Sequence, residues 1–296
     1  MKILVTGSSG FIGSHVCESL HAAGHDIIGL DIQRIIRPIG SPSALNIMSI
    51  TDSLATKDLF DREKFDAVIH LAAKTGVPGG ELDPKGYWDV NVNGFNNIKY
   101  LCVKYNVKKL IYASSSSVYG TDNDMAPKSA YAKTKKFNES DAAFLGSQLR
   151  TVGLRFFTVY GEWGRPEMSI YKWAKAALNN EPINIFDSKL ITSRYYTYVD
   201  DICRGIKKVL REPKELGGAS VYDVAGPTSI PIVTAARDIF CMTESDSKIN
   251  LMENLHYDVA SCEPSNRLLP LAESTSFIVG LSTFINWAKS GGMAHG

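Results

Sequence analysis

The chain has 296 residues, 44% of them hydrophobic, enough to bury one large core or two smaller ones, and nothing in its composition suggests a fibre or a disordered polymer. Thirty-two basic residues against thirty-one acidic ones leave a formal net charge of +1. That balance excludes a bulk field for recruiting nucleic acid or an anionic membrane, and points to a small partner. Cys17, Cys102, Cys203, Cys241 and Cys262 are scattered without a CxxC pair, so the reduced cytoplasm is expected rather than a disulfide framework or a zinc site. A strand pattern from Lys2 is expected to leave no room for a signal segment, and no uninterrupted apolar stretch is long enough to span a bilayer. No metal is expected: His21 and His25 share a helical spacing but have no third ligand nearby.

Taken in chain order, KILVTG (2–7), DIIGLD (26–31), FDAVIHLAA (65–73), KKLIYAS (108–114) and RTVGLRFF (150–157) have the length of strands buried on both faces. Segments with 3.6-residue apolar spacing, such as 11–23 and 87–105, separate them. This βαβ series predicts an α/β protein: a doubly wound parallel sheet over residues 1–160, with ligands beyond the carboxyl ends of its strands. From 161 to 296, Pro166, Pro182, Pro213, Pro227, Pro231 and Pro264 punctuate shorter elements. They predict a smaller mixed α/β substrate-binding lobe, interleaved with the first domain, and SGGMAHG reads as a frayed tail.

TGSSGFIGSH places Gly7, Gly10 and Gly13 between the first strand and a helix opened by Phe11 and Ile12. Glycines there permit a tight turn and let backbone N–H groups approach a pyrophosphate at the helix N-terminus. Eighteen residues after Gly13, Asp31 ends the second strand, where its carboxylate can accept from both hydroxyls of a ribose. The expected cofactor is therefore NAD in a Rossmann-type site, with Arg34 and Arg37 as the residues that would instead suit a 2′-phosphate. Asn46 and Ile47, after a short third strand, are candidate walls for the adenine.

In KSAYAKTKK, Tyr131 and Lys135 lie four apart on one face of a predicted helix. An ammonium beside a phenol favours phenolate, giving a base usable near neutral pH. The row of four serines in ASSSSVYG (113–120) stands where the fourth long strand should end, at the ligand-facing edge.

GSSGFIG, HLAA (70–73), SSSSVYG, the YAKTK run and TYVDD (197–201) together resemble the extended short-chain dehydrogenase/reductase family of nucleotide-sugar epimerases and dehydratases. The resemblance spans nearly the whole chain. It implies a bound NAD held partly by Leu71, Ala72 and Ala73, a nucleoside-diphosphate sugar and a transient ketone. It makes Tyr131 the acid/base, Lys135 the ligand of the nicotinamide ribose and Ser115 the partner of the reacting sugar hydroxyl. It also implies a homodimer, paired through helices at 87–105 and 129–149.

Dehydratases of the family carry an Asp-Glu pair where Ser116 and Ser117 stand, and decarboxylating relatives place Glu at the position of Ser117. The run GLRFFTVYGEWGRPEM (153–168), with Thr158 and Arg165, is similar to the UDP-glucuronate 4-epimerases, as is EPINIF (181–186). Ser115, Ser116, Ser117 and Thr158 would form a hydroxyl-lined pocket that donates to a uronate carboxylate without a neutralising arginine. Ile185 and Phe186 would line the base, and Arg194 would contact the diphosphate. Tyr195 replaces the usual Asp, Pro78 replaces the usual Arg, 255–258 lacks the late Arg, and the stretches 33–46 and 121–129 are short for the family. Three other readings stay open: a 4-epimerase of UDP-glucose or UDP-N-acetylglucosamine, a UDP-glucuronate decarboxylase, and a catalytically silent NAD-binding module.

Overall fold

The computed structural model describes residues 1–34, 42–120, 125–145, 148–212, 218–253 and 262–295. In chain order the elements are β1 (Lys2–Thr6), α1 (Phe11–His21), β2 (Asp26–Asp31), β3 (Ala44–Ile47), α2 (Ser53–Arg62), β4 (Ala67–His70), α3 (Val77–Leu82), α4 (Pro84–Trp88), α5 (Phe95–Lys104), β5 (Lys109–Ser115) and α6 (Ala130–Ala143). They continue with β6 (Arg150–Phe156), β7 (Thr158–Tyr160), α7 (Ser169–Leu178), β8 (Ile183–Phe186), β9 (Ser193–Tyr198), α8 (Val199–Arg211), β10 (Ala219–Val224), β11 (Ser229–Pro231), α9 (Ile232–Thr243), β12 (Ile249–Met252) and α10 (Phe277–Lys289).

Seven strands form one sheet in the order β10-β6-β5-β4-β1-β2-β3, every pairing parallel. The continuous apolar runs follow from burial on both faces. Ile3 and Val5 of β1 pack with Val16 and Leu20 of α1 and Ile202 and Ile206 of α8, whereas Leu4 packs with Leu59 and Phe60 of α2 and Ile98 and Leu101 of α5. Register sets the site edge: Thr6 pairs with Leu30 and with His70, and Ser115 pairs with Phe156. The β1 turn, Asp31, the end of β4 and the serine row thus emerge along one rim.

The segment 87–105 is not one continuous α-helix. Between α4 and α5 the backbone widens into a π-helical turn, Asp89–Gly94. Buried Asn91 sits in it, accepting from Lys74 N at 2.8 Å and donating to Lys74 O at 3.0 Å and Thr134 Oγ1 at 3.1 Å, while its carbonyl accepts from Asn138 Nδ2 at 2.8 Å. The bulge frees a backbone acceptor for α6, a use to which such turns are suited.

A smaller lobe combines the sheets β11-β9-β7 and β12-β8 with α7, α9 and α10 around Tyr171, Trp173, Tyr196, Phe277 and Phe284. The chain then returns to the large sheet through α8 and β10, and Phe11 of α1 inserts into the smaller lobe's core. Among the described residues no helix is long and apolar enough to cross a membrane. Arg37 and residues 255–258 lie outside the described residues, as do parts of the short stretches 33–46 and 121–129.

Candidate active site

The turn after β1 has room for backbone only. Gly7 has φ +72°, and a Cβ there would lie 2.7 Å from Ala72 N; a Cβ on Gly13 would overlap the Gly7 carbonyl oxygen. Gly10 caps α1 without a side chain, so the first helical N–H groups, of Phe11, Ile12 and Gly13, open the helix as donors. Phe11 serves that end through its backbone, since its ring is buried edge-on against His15 with centroids 5.6 Å apart. Asp31 is pinned beside the turn, Oδ2 accepting from Ser9 N at 2.9 Å and Oδ1 from Gln33 N at 3.1 Å. A bare helix N-terminus beside a fixed carboxylate suits the pyrophosphate and adenosine ribose of a dinucleotide.

Asn46 and Ile47 stand beside Leu30 and Asp31 in register; Asn46 Nδ2 donates to Gly29 O at 3.3 Å and Ile47 is exposed. Opposite, Leu71 N donates to Thr6 O at 3.1 Å and Ala72 N to Thr6 Oγ1 at 3.2 Å, which lays half-buried Leu71, Ala72 and Ala73 against the glycine turn. Thr6 Oγ1 also meets His70 Nδ1 at 2.9 Å. Burial first, and the Lys135 charge second, push the His70 imidazole down to about 3, so it is neutral.

The catalytic candidates ride on α6. Ser129 caps it, accepting from Ala132 N at 3.1 Å, and Glu81 of α3 accepts from Ala130 N at 2.8 Å. Gly80 of the same short helix packs close enough that a Cβ would stand 3.1 Å from Tyr131 N. Lys135 Nζ lies 5.9 Å from the Tyr131 ring centre and donates to Ala113 O at 2.9 Å. Ser115 Oγ is within hydrogen-bonding reach of Ser117 Oγ, at 3.1 Å, and of the Tyr131 hydroxyl. Burial raises the Tyr131 pKa; a hydrogen bond with Ser115 and the Arg165 charge oppose it, and Tyr87 adds to it. Ser115 and Arg165 thus temper a rise that burial dominates, and Lys135 stands on the same helical face as the phenol. Burial itself lowers Lys135 to about 8.

The four serines divide by the pleat of β5. Ser114 turns into the interior and donates to Glu139 Oε1 at 2.6 Å, whereas Ser115 turns toward Tyr131. Ser116 and Ser117 then begin a 3₁₀ turn, Ser116–Tyr119, capped by Ser115 Oγ accepting from Ser117 N at 3.2 Å. Thr158 and Arg165 line one narrow cleft with Gly164 and Met168. The Arg165 guanidinium hydrogen-bonds Thr75 and pairs with Glu167 at 3.1 Å, and its charge reaches both Tyr131 and Tyr87. Arg165 thus lines the cleft with Thr158 while paired with Glu167.

At the far end, strand alternation turns Ile185 into the core and Phe186 outward, so only Phe186 of this pair can offer its side chain to a base. Arg194 in β9 donates to Ser193 O at 2.8 Å. Tyr195 donates to Glu263, which, with burial, raises its pKa to about 12, and its ring stands edge-on to Phe157 at 5.9 Å. Asn91, Glu139, Arg155 and Tyr119 support the site without having been singled out from the sequence. Only Glu139 carried a signal there, lying four residues beyond Lys135 on the same helical face.

Comparison with known proteins agrees with this geometry. Residues 3–225 match the model of the NAD dependent epimerase/dehydratase family. The chain is 33% identical to Protein CapI of Staphylococcus aureus, over 97% of this chain and 98% of that protein. It is 31% identical to UDP-glucuronate 4-epimerase 4 of Arabidopsis thaliana, over 98% of this chain and 76% of that protein. The crystal structure of a UDP-glucuronic acid 4-epimerase from Bacillus cereus, in complex with UDP-glucuronic acid and NAD, superposes with a TM-score of 0.85 at 27% identity, covering 98% of this chain and 99% of that one.

Proposed function

This chain belongs to the NAD-dependent epimerase/dehydratase family and takes NAD as its cofactor, and we propose that it is a UDP-glucuronate 4-epimerase interconverting UDP-glucuronate and UDP-galacturonate. The observation that carries the reading is a serine turn free of carboxylates that meets Tyr131 through Ser115, with the charge of Arg165, which lines a cleft with Thr158, reaching the same phenol. The UDP-glucuronate 4-epimerases among its relatives support it.

Bound NAD would supply the hydride acceptor and donor for C4 of the sugar. Tyr131 takes the proton of the C4 hydroxyl and gives it back, with Ser115 fixing that hydroxyl and opposing the rise that burial imposes on the phenol's pKa. Lys135, tied to Ala113, is the residue that would hold the nicotinamide ribose. The 4-keto sugar is a β-keto acid, which loses carbon dioxide when its carboxylate aligns with the carbonyl π-system. Ser116, Ser117, Thr158 and Arg165 hold the carboxylate out of that alignment while the sugar turns its other face. Ser117, standing where decarboxylating relatives have Glu, disfavours carbon dioxide loss.

The chain is also proposed to work in the cytoplasm, in keeping with its free thiols, as a homodimer. Trp88, Tyr100, Phe137 and Phe144 are exposed on α4, α5, α6 and just beyond α6, with the Trp88 and Phe137 rings 5.2 Å apart. Light scattering tests the dimer, and a monomer at micromolar concentration rejects it.

Incubation with UDP-glucuronate and NAD, followed by proton NMR of the anomeric signals, tests the activity. UDP-galacturonate growing toward equilibrium is the expected result. UDP-pentose would overturn the carboxylate argument, and an unchanged spectrum would overturn the substrate assignment.

A further inference from the structure

Behind the serine turn lies a buried ion pair that the proposed chemistry does not touch. Glu139 follows Tyr131 and Lys135 at the same four-residue step along α6, so the three share one face. Arg155 of β6 grips both of its oxygens, Nε to Oε1 and Nη2 to Oε2, each at 2.8 Å. Each partner has a further bond, and the two go to opposite ends of the same turn. Ser114, immediately before Ser115, donates to Glu139 Oε1 at 2.6 Å. Arg155 Nη1 donates to the Tyr119 hydroxyl at 2.8 Å, and its guanidinium lies 4.8 Å over that ring. Tyr119 closes the turn and donates onward to Asp223, at 2.8 Å to Oδ1 and 2.7 Å to Oδ2.

We propose that the Glu139–Arg155 pair is a positioning clamp for the hydroxyl turn, holding Ser114 at one end and Tyr119 at the other so that Ser115, Ser116 and Ser117 keep fixed places beside Tyr131. The clamp rests on the reading of Tyr131 as the acid/base. A buried ion pair is tolerated when every polar atom is satisfied, and such a network fixes one geometry where an isolated short turn would not. An ion pair that served only to join α6 to β6 would need no arm into the turn. Displacements of about 1 Å around reacting atoms are enough to slow catalysis about a hundredfold.

Cutting the pair itself would leave a buried charge alone and risk unfolding. The test therefore cuts the arms, with Ser114→Ala, Tyr119→Phe and the double variant, all as NAD-loaded protein. The double variant is expected to keep its NAD and its cooperative unfolding, to hold KM for UDP-glucuronate within a few-fold, and to lose kcat about ten- to a hundredfold. The groups facing Tyr131 are Ser115, Lys135, Arg165 and Tyr87. Of these only Ser115 caps the loosened turn, so its weakened hydrogen bond with the phenol should move the acid limb of the kcat–pH profile upward. Unchanged kcat and an unmoved limb, or a loss matched by loss of folded protein, would overturn the clamp. Near-ultraviolet titration of tyrosine, taken as the difference from Tyr131→Phe, reads the same phenol without any sugar. If wild type does not turn over UDP-glucuronate, the substrate assignment fails, while an upward shift of this titration in the double variant still supports the clamp and an unmoved one overturns it.

Discussion

The Lys135 ammonium stands 5.9 Å from the centre of the Tyr131 ring and directs a hydrogen bond to the Ala113 carbonyl at 2.9 Å. It is thus a tether between α6 and β5 as well as a charge beside the phenol, and burial lowers its pKa from 10.5 to about 8. Between those values the unfolded chain binds the proton that the folded chain has released, so folding stability rises with pH from about 8 to 10.5. Lys135→Met should lack that rise. Urea unfolding of both proteins at pH 7.5 and again at about 9.5 measures it. The difference should move in favour of wild type at the higher pH, and a constant difference would contradict burial as the cause.

Tyr131→Phe removes one hydroxyl from a ring whose packing against Tyr87, edge-on at 6.4 Å, is independent of it. The variant should fold and keep NAD, because the glycine turn and Asp31 lie on other elements. Its kcat should fall by about 10²- to 10⁴-fold, the range that a positioned proton carrier supplies. Bound NAD is measured by absorbance after denaturation and turnover by NMR. Substantial residual epimerisation would remove Tyr131 from its role.

His70 gives a pH dependence of the opposite kind. It is buried beneath the cofactor turn against Thr6, with its pKa pushed from 6.5 to about 3. Below about 6.5 the unfolded chain takes up a proton that the folded chain refuses until about 3. The contribution of neutral His70 to stability is therefore complete above pH 6.5 and is lost as pH falls, by up to about 1.4 kcal/mol per unit. In His70→Gln the dependence of unfolding free energy on pH should be shallower between pH 6 and 4, as read by urea titrations. Parallel curves for the two proteins would show that His70 does not titrate on unfolding.

The large sheet and the cofactor turn were legible because their residues are constrained by several requirements at once. Continuous apolar strands, glycines at a close backbone approach and a carboxylate at the next strand end leave little freedom. Tyr131 and Lys135 were legible because one helical face relates them. Side-chain direction at the rim was harder to read. The apolar run suggested a strand ending at Ser114, but β5 runs to Ser115, and that residue's place in the pleat decides which serine meets Tyr131. The split between buried Ile185 and exposed Phe186 comes from strand alternation, which the lining segment 183–186 did not reveal by itself. The π-helical turn around Asn91 leaves no mark in a 3.6-residue pattern. Arg165 reaches Tyr131 from an irregular loop with Gly161 at φ +145° and Trp163 at +59°, a path that no periodicity encodes.

Thr158 offers the sharpest test of substrate choice. It opens β7 and lines the cleft with Arg165. A hydroxyl can donate to a carboxylate oxygen, whereas the longer asparagine amide brings both a donor and an acceptor and would place a carbonyl oxygen toward the anion. Thr158→Asn should therefore raise KM for UDP-glucuronate more than for UDP-glucose, shifting the ratio of kcat/KM between the two by about tenfold, or roughly 1.4 kcal/mol. Arg165 is retained in this variant, so the loss should be partial and should grow with salt as the remaining ion pair is screened. An unchanged ratio would sink the carboxylate pocket and make the neutral sugar the better candidate.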